Sequence, residues 1–318
     1  MAKTLQEYAD WLEERDDLLW PKPPKAEAPK ATPFLKPLDG IRVVAWNLYG
    51  TLLRIADGDL LFEIPQELRM QIALEKVDAE FNMWNHMYRK PVAPWKYLYE
   101  QYQKFLERQK MTATKQKGDL PAVKSDQIWR QILAQLEEKD YECDADFYGT
   151  MDELAEKVAY FFHASLQGLE AAPGALDALK TVAGRRLLQG LIADAQSFTL
   201  PQFLKCLKSQ GPLPALGDLL EPRLIVLSYQ EGVRKPSKSL YQAFLSACKE
   251  RGVAADNVLY VSSRLKGDLA VAKSLGMQTA LYAGDKSSLE ATKAEIADRK
   301  LRPDRLLTDL AQIGELLG

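Results

Sequence analysis

Histidine is almost missing from this chain, with two in 318 residues, and cysteine is nearly as scarce at three. His86 and His163 have no serine, cysteine or acidic partner at a recognisable catalytic spacing. Cys143, Cys206 and Cys248 have neither the close pairs of a structural zinc site nor the even count of a disulfide framework. Those scarcities exclude zinc-finger and disulfide-stapled classes and fit reduced thiols in a reducing compartment. No apolar run approaches the roughly 20 residues that cross a bilayer, and residues 1–10 lack the apolar core of a secretory signal. Excess charge is absent too. The 42 basic and 44 acidic residues leave a net charge of −2, so nothing electrostatic draws the chain to nucleic acid or an anionic membrane. There is no P-loop and no dinucleotide fingerprint. The expectation is a soluble, cytoplasmic protein with no nucleic-acid or membrane partner; the sequence does not fix its oligomeric state.

What is present is an ordinary globular composition, 47% hydrophobic and 27% charged, in a chain long enough to bury a sizeable core. Leu5, Tyr8, Trp11 and Leu12 have helical spacing and predict an amphipathic helix over 4–20, docked on the body of the protein. Residues 21–30 are rich in proline and lysine and read as an extended linker, so 1–38 form a separate leading segment. A buried strand, Arg42 to Trp46, opens the main domain. From 59 to 170 the pattern is helical with no convincing strand. It carries the aromatics Phe81, Trp84, Tyr88, Trp95, Tyr97, Tyr99, Tyr102 and Phe105, expected as bundle core, with a pocket lining as the alternative. After Pro173-Gly174, short apolar runs alternate with helices: strands at 187–192, 224–227, 258–261 and 278–282. That rhythm predicts a doubly wound parallel α/β sheet from 39–58 and 171–318, interrupted after its first strand by an all-helical insert. Ligands of such sheets sit at the C-terminal strand ends.

Four segments fall at those strand ends. They are Asn47-Leu48-Tyr49-Gly50-Thr51; Ile192-Ala193-Asp194; Gly232-Val233-Arg234-Lys235-Pro236; and Ser262-Ser263 with Asp268, with Ala272 to Met277 after it. In order and spacing they resemble the four motifs of the haloacid dehalogenase (HAD) superfamily, over about residues 41–318. The resemblance implies a Rossmann-type core, with the helical insert as a cap. It implies catalytic positions at Asn47 (the nucleophile), Tyr49, Lys235 and Asp268, and ligand contacts at Thr51, Asp194, Ser262 and Ser263.

Several positions depart from the family pattern. The family forms a covalent ester on an aspartate, whereas Asn47 is uncharged and its nitrogen lone pair is delocalised. Tyr49 is a poor proton donor at neutral pH and is expected to pack or hydrogen-bond. Ala193 replaces the hydroxyl of the second motif, for which Ser197 or Thr199 would have to compensate. Ser263 replaces the first metal-binding acid, leaving Asp194 and Asp268 for at most a weak Mg²⁺ site. The Ser-Ser pair is similar to that of metal-free haloacid dehalogenases, but Asp268 lies one residue further on than their spacing places it. Two readings are open. One is a degenerate superfamily member, without its nucleophile, that keeps a site for a small anionic molecule under the cap. The other is an active phosphatase- or dehalogenase-type hydrolase whose aspartate is here replaced by Asn47, or whose site is rearranged.

Overall fold

The computed structural model describes residues 2–87 and 92–318, so Tyr88 lies outside the described residues. Helix α1 (Leu5–Glu13) leads to β1 (Val43–Trp46) and β2 (Leu53–Ile55). Then come α2 (Glu67–Phe81), α3 (Pro94–Lys110), the two-residue β3 (Leu120–Pro121), α4 (Ser125–Glu137), α5 (Ala145–Tyr148) and α6 (Met151–Leu166). The chain returns through β4 (Leu169–Ala171), α7 (Ala175–Gly184), β5 (Leu188–Ala193), α8 (Thr199–Lys208) and α9 (Leu216–Leu219). It continues with β6 (Ile225–Leu227), α10 (Ser228–Glu231), β7 (Val233–Arg234), α11 (Lys238–Glu250), β8 (Val258–Ser262) and α12 (Ala270–Ser274). It closes with β9 (Gln278–Tyr282), α13 (Lys293–Ala297), β10 (Arg305–Leu307) and α14 (Ile313–Leu316).

Six strands form one parallel sheet in the order β10-β9-β8-β1-β5-β6. Strand β1 is central, pairing Ala45 with Gly190 on one side and with Tyr260 on the other. All four of its residues are buried. Alternation along a strand sends Val44 and Trp46 into the core with α7, α8 and α14, and Val43 and Ala45 into the core with α11 and α12. That two-sided burial explains why the strand reads as an unbroken apolar run. The α/β class and the parallel sheet expected from the sequence are present; β10 is an additional edge strand that no apolar run announced.

The helical segment packs as its own layer around α6, which buries Leu154, Val158, Phe161, Phe162 and Leu166. Phe81, Trp95, Tyr97, Tyr102 and Phe105 join that core, whereas Trp84 is exposed. The chain enters and leaves this layer through the antiparallel pair β2–β4, with Leu53 opposite Ala171 and Ile55 opposite Leu169. Two strands touch the segment that reads as strand-free: β4 begins at its end, and β3 lies inside it. Strand β3 pairs Leu120 with Arg234 and Pro121 with Val233, and two residues with no alternating pattern leave no mark in a sequence.

The leading helix is shorter than its pattern, ending at Glu13 rather than near residue 20. Glu13, Glu14, Asp16 and Asp17 crowd its C-terminus, where the helix dipole disfavours negative charge. It starts with a Thr4–Glu7 capping box and buries Tyr8, Ala9 and Leu12 in the helical layer, with Tyr8 edge-on to Tyr148 and Tyr160. Beyond it, Trp20 meets Phe161 edge-on, Arg54 donates to the Pro24 carbonyl, and the Glu27 carbonyl accepts from Lys286 N at 2.7 Å. Phe34 then exchanges two backbone hydrogen bonds with Leu306 of β10, at 2.9 and 3.2 Å. The linker is therefore a strap from the helical layer to the sheet edge, where it covers otherwise unpaired backbone groups.

Candidate functional site

Asn47 comes directly after β1, and its backbone N–H donates to Val261 O of β8 at 2.9 Å, holding its side chain at the strand end. The chain then turns tightly. Gly50 has φ +79°, and a Cβ there would lie 2.9 Å from Ser263 Oγ and 3.0 Å from the Gly58 backbone, so no side chain fits. Asn47 is 4% exposed, and both polar atoms of its carboxamide have partners. Its Nδ2 donates to Tyr49 O at 2.9 Å, while its Oδ1 accepts from Leu48 N at 2.9 Å and from Lys235 Nζ at 2.8 Å.

Lys235 is the hub. Its ammonium also donates to Tyr260 OH at 2.7 Å and to Asp268 Oδ2 at 2.8 Å, and the same carboxylate oxygen accepts from Ser262 Oγ at 2.6 Å. Burial makes each of these charge-assisted bonds worth more than it would be in water. Ser262 reaches Asp268 despite the extra residue between them because 265–269 form a π turn, in which Leu269 N bonds Arg264 O and Ala270 N bonds Leu265 O. A π turn takes up one additional residue without displacing the helix that continues from it, here α12.

Asp194, after β5, accepts from the backbone N–H of Lys235 at 2.9 Å. Burial of its carboxyl, only partly offset by Lys235, pushes its pKa up to about 6. Tyr49 OH donates to Gln202 Oε1 at 3.0 Å and lies 3.0 Å from Thr199 Oγ1; burial raises its pKa further, so it holds structure rather than a mobile proton. Thr199 is thus spent on Tyr49, the buried Ser197 hydroxyl has no partner among the described residues, and neither lines the cavity at this strand end. Ser228 instead brings a hydroxyl to that neighbourhood from the end of β6, accepting from Ala195 N at 2.9 Å.

These groups form the floor of a cavity of about 410 Å³. Asn47, Tyr49, Asp194, Lys235 and Asp268 all line it, together with Ser228 and Gln196. Thr51, Ser262 and Ser263, expected as ligand contacts, are not among its lining residues and lie behind them. Thr51 Oγ1 accepts from Ser263 N at 3.1 Å, Ser262 orients Asp268, and Ser263 Oγ packs over Gly50. The roof is Leu60, Leu61, Phe62, Leu106 and Val123, and none of the aromatics of α3 reaches it. Rings along a helix buried against other helices turn into their own core, leaving the pocket to the connecting segments and to Leu106 near the end of α3.

Sequence reasoning missed Asp59, Tyr260, Arg264 and Gln196. Arg264 pairs with Asp59, and with Glu290 at 2.7 Å, so an ion pair joins the segment before α2 to the end of β8. Gln196 donates to Val123 O at 2.8 Å and accepts from Ser125 N at 2.8 Å, stitching the roof to the sheet layer. Tyr260 carried one faint signal, a hydroxyl inside an otherwise apolar strand. His163 lies in the helical core, 2.9 Å from Ser125 Oγ and among Phe62, Phe162 and Phe198, where burial lowers its pKa to about 3. It lines neither the floor nor the roof.

The donor set fits Mg²⁺ poorly. Mg²⁺ takes six oxygens in near-octahedral geometry, one or two of them from carboxylates free to face the ion and the rest from water or substrate. Here Asp268 Oδ2 is held by an ammonium and a hydroxyl, and Asn47 Oδ1 faces that same ammonium. No group of three or more His, Cys, Asp or Glu placed to hold a metal occurs among the described residues. Charges around the cavity are largely paired: Lys235 with Asp268, Arg264 with Asp59, and Lys110 with Glu63 at 3.8 Å. Exposed Arg234 on its wall has no ion-pair partner among the described residues.

Residues 232–313 match a family model described as HAD-hydrolase-like. The 2-haloacid dehalogenase from Pseudomonas syringae pv. Tomato has a similar structure, with 20% identity and a TM-score of 0.53 over 86% of this chain and 97% of that one. The L-2-haloacid dehalogenase from Xanthobacter autotrophicus, with chloropropionic acid covalently bound, is 19% identical over 86% of this chain and 97% of that one, at a TM-score of 0.39. No curated sequence matches the chain.

Proposed function

We propose that this chain, a member of the haloacid dehalogenase-like superfamily, binds a small carboxylate or phosphate-sized anion under its helical layer and does not carry out covalent displacement. The observation that carries this reading is the state of Asn47. Its oxygen is neutral, accepts two hydrogen bonds and faces an ammonium already paired with Asp268, so position 47 offers no anionic oxygen to attack. The missing hydroxyl at Ala193 supports it further. Unpaired Arg234 on the wall supplies the attraction for an anion, and the leucines, Phe62 and Val123 of the roof suit a short apolar body.

The test measures halide release from 2-chloropropionate and phosphate release from an aryl phosphate, with and without Mg²⁺. Neither product is expected above background at high protein concentration. 2-Chloropropionate is expected to raise the melting temperature, less so in Arg234→Ala. Release of either product, abolished by Lys235→Ala, would refute the proposal.

A second reading has one observation behind it: the Lys235–Asp268–Ser262 network is intact and tightly bonded although the nucleophile is not there. If Asn47→Asp alone yields halide release, the chain is a dehalogenase-type hydrolase lacking a single carboxylate. Continued silence in that variant supports the binding role.

A further inference from the structure

Eight charged side chains line the cavity, four acidic and four basic, and three pairs account for six of them. Lys235 is bound to Asp268, Arg264 to Asp59 and Lys110 to Glu63. The two left over are of opposite sign. Arg234 is exposed on the wall and Asp194 is half-buried, and neither has an ion-pair partner among the described residues.

The floor has acceptors to spare and no ammonium hydrogen left to give. An ammonium carries three donors, and those of Lys235 go to Asn47 Oδ1, Tyr260 OH and Asp268 Oδ2. None is left for Asp194. Its Oδ1 takes the backbone N–H of Lys235, and its Oδ2 has no hydrogen-bond partner among the described residues. Asp268 Oδ1 is buried without a partner as well. A carboxylate drawn out of water is stabilised by an opposite charge or by donors aimed at it, and Asp194 has one backbone donor. A simple anion would bring it neither, and would add a third negative group beside a single ammonium. A cationic donor supplies both. The roof, with Leu60, Leu61, Phe62, Leu106 and Val123, adds an apolar surface between the two unpaired charges and the helical layer.

We propose that the anion bound in this cavity is one end of a small zwitterion, a free amino acid with an apolar side chain. Its ammonium donates to Asp194, its carboxylate lies toward Arg234, and its side chain lies under the roof. The proposal rests on the anion-binding reading above and adds the second charge to it.

The test is a set of calorimetric titrations of the full chain at pH 8 with three probes that share one apolar body. They are L-leucine, 4-methylpentanoate, which lacks the ammonium, and 3-methylbutylamine, which lacks the carboxylate. Leucine is expected to bind about tenfold tighter than either, or more. Asp194→Asn keeps an acceptor for Lys235 N but removes the charge; it is expected to weaken leucine about tenfold and to leave 4-methylpentanoate no weaker. Arg234→Ala, at an exposed position, is expected to weaken leucine and 4-methylpentanoate alike and to spare the amine. Asp194 faces Lys235, Asp268 and Asp59, with the buried phenols of Tyr241 and Tyr260 nearby. Lowering the pH to 5 neutralises its carboxyl, so the advantage of leucine over 4-methylpentanoate is expected to shrink. The comparison of probes needs no variant, so it stands even where Asp194→Asn unfolds the chain. Binding of 4-methylpentanoate as tight as that of leucine would overturn the zwitterion and leave the anion reading in place. Leucine binding unchanged by Asp194→Asn would overturn it too. Silence from all three probes and from 2-chloropropionate would overturn both.

Discussion

Lys235 and Asp268 are both almost fully enclosed, at 5% and 0% exposed, and each is the other's charge partner at 2.8 Å. Removing one partner of a buried pair strands the other charge, which costs about 3–5 kcal/mol. Lys235→Met is therefore expected to lower unfolding free energy by about that much in urea titrations. The double variant with Asp268→Asn should lose less than the sum of the two single changes. Two other buried groups set opposing pH trends. Asp194 titrates near 6 in the folded chain against an ordinary 3.8, so the folded state holds its proton more tightly and stability falls as pH rises through that window. His163 titrates near 3 against an ordinary 6.5, so the unfolded state takes up the proton first and stability falls as pH drops from 6.5 towards 3. Asp194→Asn is expected to flatten the first slope and His163→Phe the second, both read from melting temperature against pH. Anion affinity should also rise below about pH 6 in the wild type, as the Asp194 carboxylate becomes neutral, and not in Asp194→Asn.

At the scale of elements, the site is held by joints between layers more than by any one helix. Strand β3 lies on β7, Leu120 N donates to Ser237 Oγ at 2.8 Å, and Gln196 bridges residues 123 and 125. These joints fix the roof beside the loop that carries Lys235. Gln196→Ala leaves Ser125 N and Val123 O unpaired, at about 1–3 kcal/mol. Hydrogen exchange at Ser125 and its neighbours is expected to quicken while β1 and β5 keep their protection. Strand β5 has its own tight place at Gly190, where an added Cβ would run into the Leu224 carbonyl and Phe244. Both lie on elements packed against the strand, so Gly190→Ala is expected to destabilise the sheet layer.

For the molecule as a whole, the strap touches the helical layer, the β2–β4 joint and the far edge of the sheet. Removing residues 2–38 would uncover the site of Tyr8, Ala9 and Leu12, break the Lys205–Glu13 pair and free the β10 edge at Phe34. The truncated chain is expected to melt at lower temperature, with the helical layer exchanging faster than the sheet and some association through the opened edge. Equal melting temperature and exchange in both forms would show that the strap only rests on the surface.

Periodicity by itself determined the α/β class and the parallel sheet, and the strand-end motifs singled out Asn47, Lys235, Asp194 and Asp268, which line one cavity. Such features are written locally: a strand buried on both faces must be apolar along its length, and a residue at its C-terminal end inherits an address. What the side chains do there was decided by tertiary structure. Tyr260 reaches Lys235 from a neighbouring strand, Arg264 reaches Asp59 across 205 positions, and the π turn returns Asp268 to Ser262. The direction of the α3 aromatics and the course of the strap were settled in the same way. Hydrogen bonds and ion pairs act through space at about 3 Å, and only the folded chain fixes which distant groups come that close.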